Sequence, residues 1–179
     1  NKIVQLHDKN SGIYFTNNII HLLILVSAVL VCLGLLFTQP IIVFFAPGFD
    51  GPTLELAVTF TKITLLGIIF TGLITLLSGY LQSNKDYFTP ALIVFPMNII
   101  VIIFIYISAN SNVLYLAIGT LLAYIVQFLC IIPSLRNKGY NYNFQFKPND
   151  VYVRKILVLS SPLIIGVSVN QINVIVDRS

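Results

Sequence analysis

Gly166, Asn170, Asn173 and Asp177 lie four, three and four residues apart, a spacing that puts them in one line on a helix. The surrounding run is apolar, so this line would carry one carboxylate and two amides into hydrocarbon. An aspartate at the centre of a membrane helix costs about 2.5–3.5 kcal/mol on insertion scales, so it normally faces a bundle interior. Two readings fit: a structural ion pair with another helix, or a site facing a hydrated cavity. Gln171 and Arg178 fall on a different flank, and Arg178, adjacent to Asp177, points away from it. Pro162, after Ser160 and Ser161, makes this segment bendable.

Other polar groups sit inside apolar runs. Thr64, Gly67, Thr71, Thr75 and Ser78 recur at three- and four-residue spacing and form a narrow stripe. Small and hydroxylated residues let helices approach closely and bond across the contact, so the stripe serves helix packing or lines a polar cavity. Lys62 lies on the other side of the same helix, with Glu55 two turns before it. It either snorkels to the outer interface or faces a cavity. Pro96 and Asn98 fall in the middle of the next run, where a proline frees a carbonyl that a neighbour or water must satisfy. Cys32 and Cys130 fit no metal spacing and read as small packing residues, and His7 and His21 have no evident partner. The sequence shows no phosphate loop, no metal-spaced His/Cys cluster and no nucleophile beside a base, which points to transport rather than enzymology.

The elements that must position these groups are membrane helices. Only 9% of the residues are charged and 57% are hydrophobic, against about 25% charged in a soluble domain. Mean hydropathy is +0.92. The fold expected is an all-α integral membrane protein of about five transmembrane helices. Spans are expected at about 19–37, 58–82, 90–107, 113–133 and 156–179, each near the roughly 20 residues that cross a hydrocarbon core. The chain starts at Asn1 and stops within a helix-like run, and we expect a piece of a longer protein.

Charge sets the expected orientation. Lys2, Lys9, Lys85, Arg136, Lys138, Lys147, Arg154 and Lys155 fall in segments 1–16, 83–89 and 134–155, whereas 38–57 and 108–112 contain no Lys or Arg. The first set is therefore expected in the cytoplasm and the second outside. This pattern explains the net charge of +4 without a nucleic-acid partner. Segment 38–57 contains Pro40, Pro47 and Pro52 and is expected to be broken and partly interfacial. The basic, aromatic stretch 136–150 reads as an interfacial anchor or as a contact for lipid headgroups.

Several motifs occur together in order: "FFAPGFD" before a span that opens with "TKI", then "GYLQSNKDYFTPALIVFPMNI", then "SSPLIIGVSVNQINVIVDRS". Taken together they resemble the MurJ/MviN family of lipid II flippases, within the multidrug/oligosaccharidyl-lipid/polysaccharide flippase superfamily. The resemblance implies that the chain corresponds to helices three to seven of a fourteen-helix transporter. It implies movement of an undecaprenyl-pyrophosphate-linked peptidoglycan precursor (lipid II or a related lipid) between leaflets of the bacterial cytoplasmic membrane. The family's cavity arginines come largely from helices outside this chain. Asp177 resembles a position linked to a coupling sodium ion, and Asn173 and Asn170 are spaced to add oxygens; sodium or proton coupling is the implied drive. Arg178, Gln171, Lys62, Thr64, Thr71, Thr75 and Asn98 remain cavity or packing candidates. The rival readings are a polysaccharide-lipid or multidrug transporter of the same superfamily, and a non-transporting scaffold for cell-wall synthesis proteins.

Overall fold

Hydrocarbon offers backbone N–H and C=O groups no partner, so apolar runs of this length must close their hydrogen bonds internally as helices. The structure, a computed structural model, describes residues 9–144, 147 and 158. Its ordered elements are α1 (Lys9–Phe45), α2 (Gly51–Leu65), α3 (Gly67–Ser83), α4 (Phe88–Leu92), α5 (Val94–Asn110) and α6 (Leu114–Asn137). They form four rods long and apolar enough to cross a membrane: Gly12–Phe45, Gly51–Ser83, Phe88–Asn110 and Leu114–Asn137. The described chain is thus a multi-pass, all-α membrane protein. The span expected over 156–179 lies outside the described residues, apart from Val158.

The interruptions have local causes. Pro96 has no N–H to offer the Leu92 carbonyl, and the helix pauses at Ile93 between α4 and α5. Between α2 and α3 the pause at Leu66 follows Thr64, whose hydroxyl donates to the Phe60 and Thr61 carbonyls, both at 3.1 Å. Such back-bonding bends helices. Segment 38–57 is broken, as expected, but over a shorter stretch than its three prolines suggest. α1 continues through Pro40 to Phe45, and Pro52 sits in the first turn of α2, where its missing donor costs nothing. The break is confined to Ala46–Asp50.

Both α3 and α6 end with the same backbone device, in which two N–H groups fold back onto the last carbonyls. At α6, Gly139 donates to the Arg136 carbonyl (2.9 Å) and Tyr140 to the Leu135 carbonyl (3.0 Å), with Gly139 at φ +76°. At α3, Lys85 donates to Gln82 and Asp86 to Leu81, but the residue at positive φ (62°) is a lysine. A side chain in that region costs about 1–2 kcal/mol. Lys85→Gly is therefore expected to stabilise the full-length protein by ~0.5–1 kcal/mol, net of glycine's greater unfolded-state entropy. A rise in its melting temperature in detergent is the check.

The core forms where α1, α3 and α6 meet, around Ile20, Leu73, Leu77, Leu81, Ile131 and Leu135. Glycines allow close approach there: a Cβ on Gly67 would meet the Tyr124 ring at 2.9 Å, and one on Gly119 would fall within Phe104 of α5. No residue of α5 is buried, so it packs on α6 at the edge of the bundle and turns its other faces outward. Cys32 and Cys130, expected to pack inside, are both exposed on their helices. Exposure on an apolar rod is compatible with lipid, because a thiol is a weak donor and behaves as a small hydrophobe.

Candidate functional site

Near the start of α1 the buried polar side chains include Asn17 (0% exposed), Asn18 (1%) and His21 (9%). Unpaired, each would carry a heavy desolvation penalty. Each instead binds the segment after α6, which the positive φ of Gly139 sends back across the bundle. Asn17 donates from Nδ2 to the Asn141 carbonyl at 3.1 Å, and its Oδ1 accepts the Tyr140 hydroxyl. Asn18 donates to the Lys147 carbonyl at 2.9 Å and accepts the Lys147 N–H at 2.7 Å, so its amide imitates a paired strand backbone. His21 Nδ1 lies 2.7 Å from the Asn17 carbonyl, which can only accept, so Nδ1 carries the proton. Nε2 then accepts from the Tyr142 hydroxyl at 2.7 Å. Phe144 meets the imidazole edge-on at 4.6 Å, and Tyr140 packs edge-on against Tyr80 at 5.1 Å. Burial, reinforced by Tyr80 and Tyr142, pushes the Tyr140 phenol well above its ordinary range, which keeps it a neutral donor.

This strap corrects two expectations. His21 has firm partners, and the aromatic stretch after Arg136 is pinned to α1 by hydrogen bonds rather than being only an interfacial anchor. Between the strap, α1, α3 and α6 lies a cleft of about 580 Å³. Its wall is apolar, with Ile24, Leu77, Phe128 and Ile132, and Arg136, Asn141 and Tyr142 stand at the strap end.

The α3–α4 turn carries a carboxylate, Asp86, among the described residues. Asp86 accepts from the Thr89 N–H (3.1 Å) and hydroxyl (2.9 Å), and Thr89 Oγ1 lies 3.1 Å from Ser134 Oγ on α6. The Thr89 N–H holds the carboxyl below its ordinary range; slight burial opposes this, while the Thr89 hydroxyl and the Lys138 charge add to it. A carboxylate with a lowered folded-state pKa contributes stability above its unfolded pKa and loses it as pH falls through the folded value. The full-length protein is expected to lose melting temperature on acidification into that range. Asp86→Asn should flatten this limb and lower the neutral-pH melting temperature slightly, toward the value the parent protein has in acid.

Residues nominated from sequence are dispersed. Asp177, Asn173, Asn170, Gln171 and Arg178 lie outside the described residues. Lys62 and Asn98 are exposed. Thr71 and Thr75 line an open groove of about 450 Å³ between α1 and α3, with Leu23, Ser27 and Gly72. Their hydroxyls donate within their own helix, Thr71 to Ile68 (3.0 Å) and Thr75 to Thr71 (2.8 Å), leaving only acceptor lone pairs for the groove. Thr64 is spent in the same way beside the α2–α3 interruption. The stripe thus divides, since Gly67 turns to Tyr124 of α6 and Thr71 and Thr75 turn to the α1 side. Among the described residues no cluster of three or more His, Cys, Asp or Glu side chains could hold a metal.

The arrangement offers apolar and weakly polar grooves between antiparallel rods and a basic, strapped end, features suited to handling an amphiphile. Comparison with known proteins agrees. The family model described as "Lipid II flippase MurJ" matches residues 3–179. The "Probable lipid II flippase MurJ" of Rickettsia prowazekii is 28% identical over 179 residues, covering 98% of this chain and 35% of the relative. The protein of the same name from Buchnera aphidicola subsp. Baizongia pistaciae is 29% identical over 167 residues, 90% of this chain and 33% of its own length. The "Lipid II flippase MurJ" of Thermosipho africanus is 30% identical over 142 residues, 78% of this chain and 30% of its own. The chain spans about a third of the length of these relatives, and with a family match over residues 3–179 it belongs to the MurJ lipid II flippase family.

Proposed function

We propose that this chain is part of a flippase that carries an undecaprenyl-pyrophosphate-linked peptidoglycan precursor from the inner to the outer leaflet of the bacterial cytoplasmic membrane. The observation that carries the reading is the family match along residues 3–179. The physics is consistent with it. A pyrophosphate headgroup cannot cross hydrocarbon unaided, so helices must part around a hydrated path and re-form on the other side. Rods interrupted at Leu66 and Ile93 suit such motion. The strapped end, with Lys85, Arg136, Lys138 and Lys147, faces the cytoplasm in this proposal. Asp177, with Asn173 and Asn170 four and seven residues before it, is proposed to bind the coupling ion, sodium or a proton.

Growth of cells depleted of their own flippase tests this reading. Rescue by the full-length protein, with failure of an equally expressed Asp177→Ala variant, is the expected result. Rescue by both would keep the transport reading and remove Asp177 from it. No rescue by well-inserted wild type would overturn the reading in favour of another cargo or of a scaffold.

A further inference from the structure

The cleft beneath the strap has the build of a site for one two-part ligand. Its apolar wall follows α6 from Phe128 through Ile132, and one turn further Arg136 stands at its mouth beside Asn141 and Tyr142. Its volume of about 580 Å³ falls within the roughly 300–1,000 Å³ of ordinary ligand sites. Arg136 is exposed and forms no ion pair among the described residues. The neighbouring carboxylate, Asp86, is held instead by Thr89 and acts on Lys138. Among the described residues, no carboxylate pairs with this positive charge beside an apolar wall.

We propose that this cleft binds one anionic phospholipid of the surrounding bilayer. An acyl chain lies along Phe128, Ile132 and Leu77, and the phosphate accepts a forked pair of N–H bonds from Arg136. The Asn141 amide lines the cleft beside Arg136 and can donate to an ester oxygen of the lipid. A lipid held there touches α6 and the strap together, which couples the anchoring of the strap to the charge of the leaflet. The proposal does not depend on the identity of the cargo proposed above.

The test uses the full-length protein carrying Ile132→Trp, reconstituted in phosphatidylcholine vesicles with a minor fraction of brominated phosphatidylglycerol or, separately, brominated phosphatidylcholine. Quenching of the added indole, taken as the difference from the parent protein, is expected to show about tenfold tighter association of the anionic lipid, the scale of one charge-assisted contact. Arg136→Gln should abolish the preference. Equal quenching by both lipids would overturn the proposal by showing a plain lipid-facing surface. No quenching by either would overturn it by showing that other parts of the protein fill the cleft. Should Ile132→Trp fail to insert, the unsubstituted protein is labelled with phosphatidylglycerol bearing a photoreactive acyl chain. Label enriched in residues 128–142 over a phosphatidylcholine control supports the site, and equal labelling overturns it.

Discussion

Asn17→Leu is expected to detach the strap from α1 and to destabilise the full-length protein by about 2–5 kcal/mol. The side chain is completely buried and serves two partners, the Asn141 carbonyl and the Tyr140 hydroxyl. Leucine fills similar space but leaves both without a bond, and a stranded buried group costs about 1–3 kcal/mol. Tyr140→Phe removes one bond and should cost about 1 kcal/mol, giving a graded series. Thermal unfolding in detergent reads the stability, and limited proteolysis between Lys138 and Lys147 reads the release. Unchanged protease resistance in Asn17→Leu would mean that the aromatic contacts of Tyr140 and Phe144 hold the strap without the amide.

The second large effect concerns the α5–α6 hairpin. Gly119→Val would drive a side chain into Phe104, whose Cδ1 lies 2.6 Å from where a Cβ would stand. Overpacking of this kind costs about 1–3 kcal/mol or more. Helices in lipid associate mainly through close packing, so α5 has little else to hold it. No residue of α5 is buried, so the contact with α6 is its main anchorage. Phe104→Ala opens the space that the valine needs. The double variant is therefore expected to recover part of the loss, with a coupling of about 0.5–3 kcal/mol in a double-mutant cycle. Additive losses would show that α5 moves away as a unit.

Much of the architecture was legible in the sequence because the bilayer restricts the possibilities. Runs such as 19–37 and 113–133 had to be helices, and the all-α membrane fold is borne out by the four long apolar rods. Helix ends were less legible. α1 includes residues well before 19 because Asn17, Asn18 and His21 are polar by composition yet buried by contacts made more than 120 residues later. No periodicity reports a partner that distant. The only local hint was the pairing of "TNNIIH" with a Tyr- and Asn-rich stretch elsewhere. Pro40 misled because a proline removes one donor without forbidding helix in a membrane rod. The threonine stripe was visible as a face, but spacing does not report that Gly67 meets Tyr124 of α6 while Thr71 and Thr75 line the groove toward α1.

Transport is tested most directly by the sidedness of the precursor itself. In cells depleted of their own flippase and supplied with the full-length protein, lipid II should become accessible to an added, membrane-impermeant hydrolase that cleaves its pyrophosphate link. Cleavage restored to the level of undepleted cells is the predicted result. Lipid II that accumulates uncleaved, while the protein is inserted and abundant, would contradict the assignment.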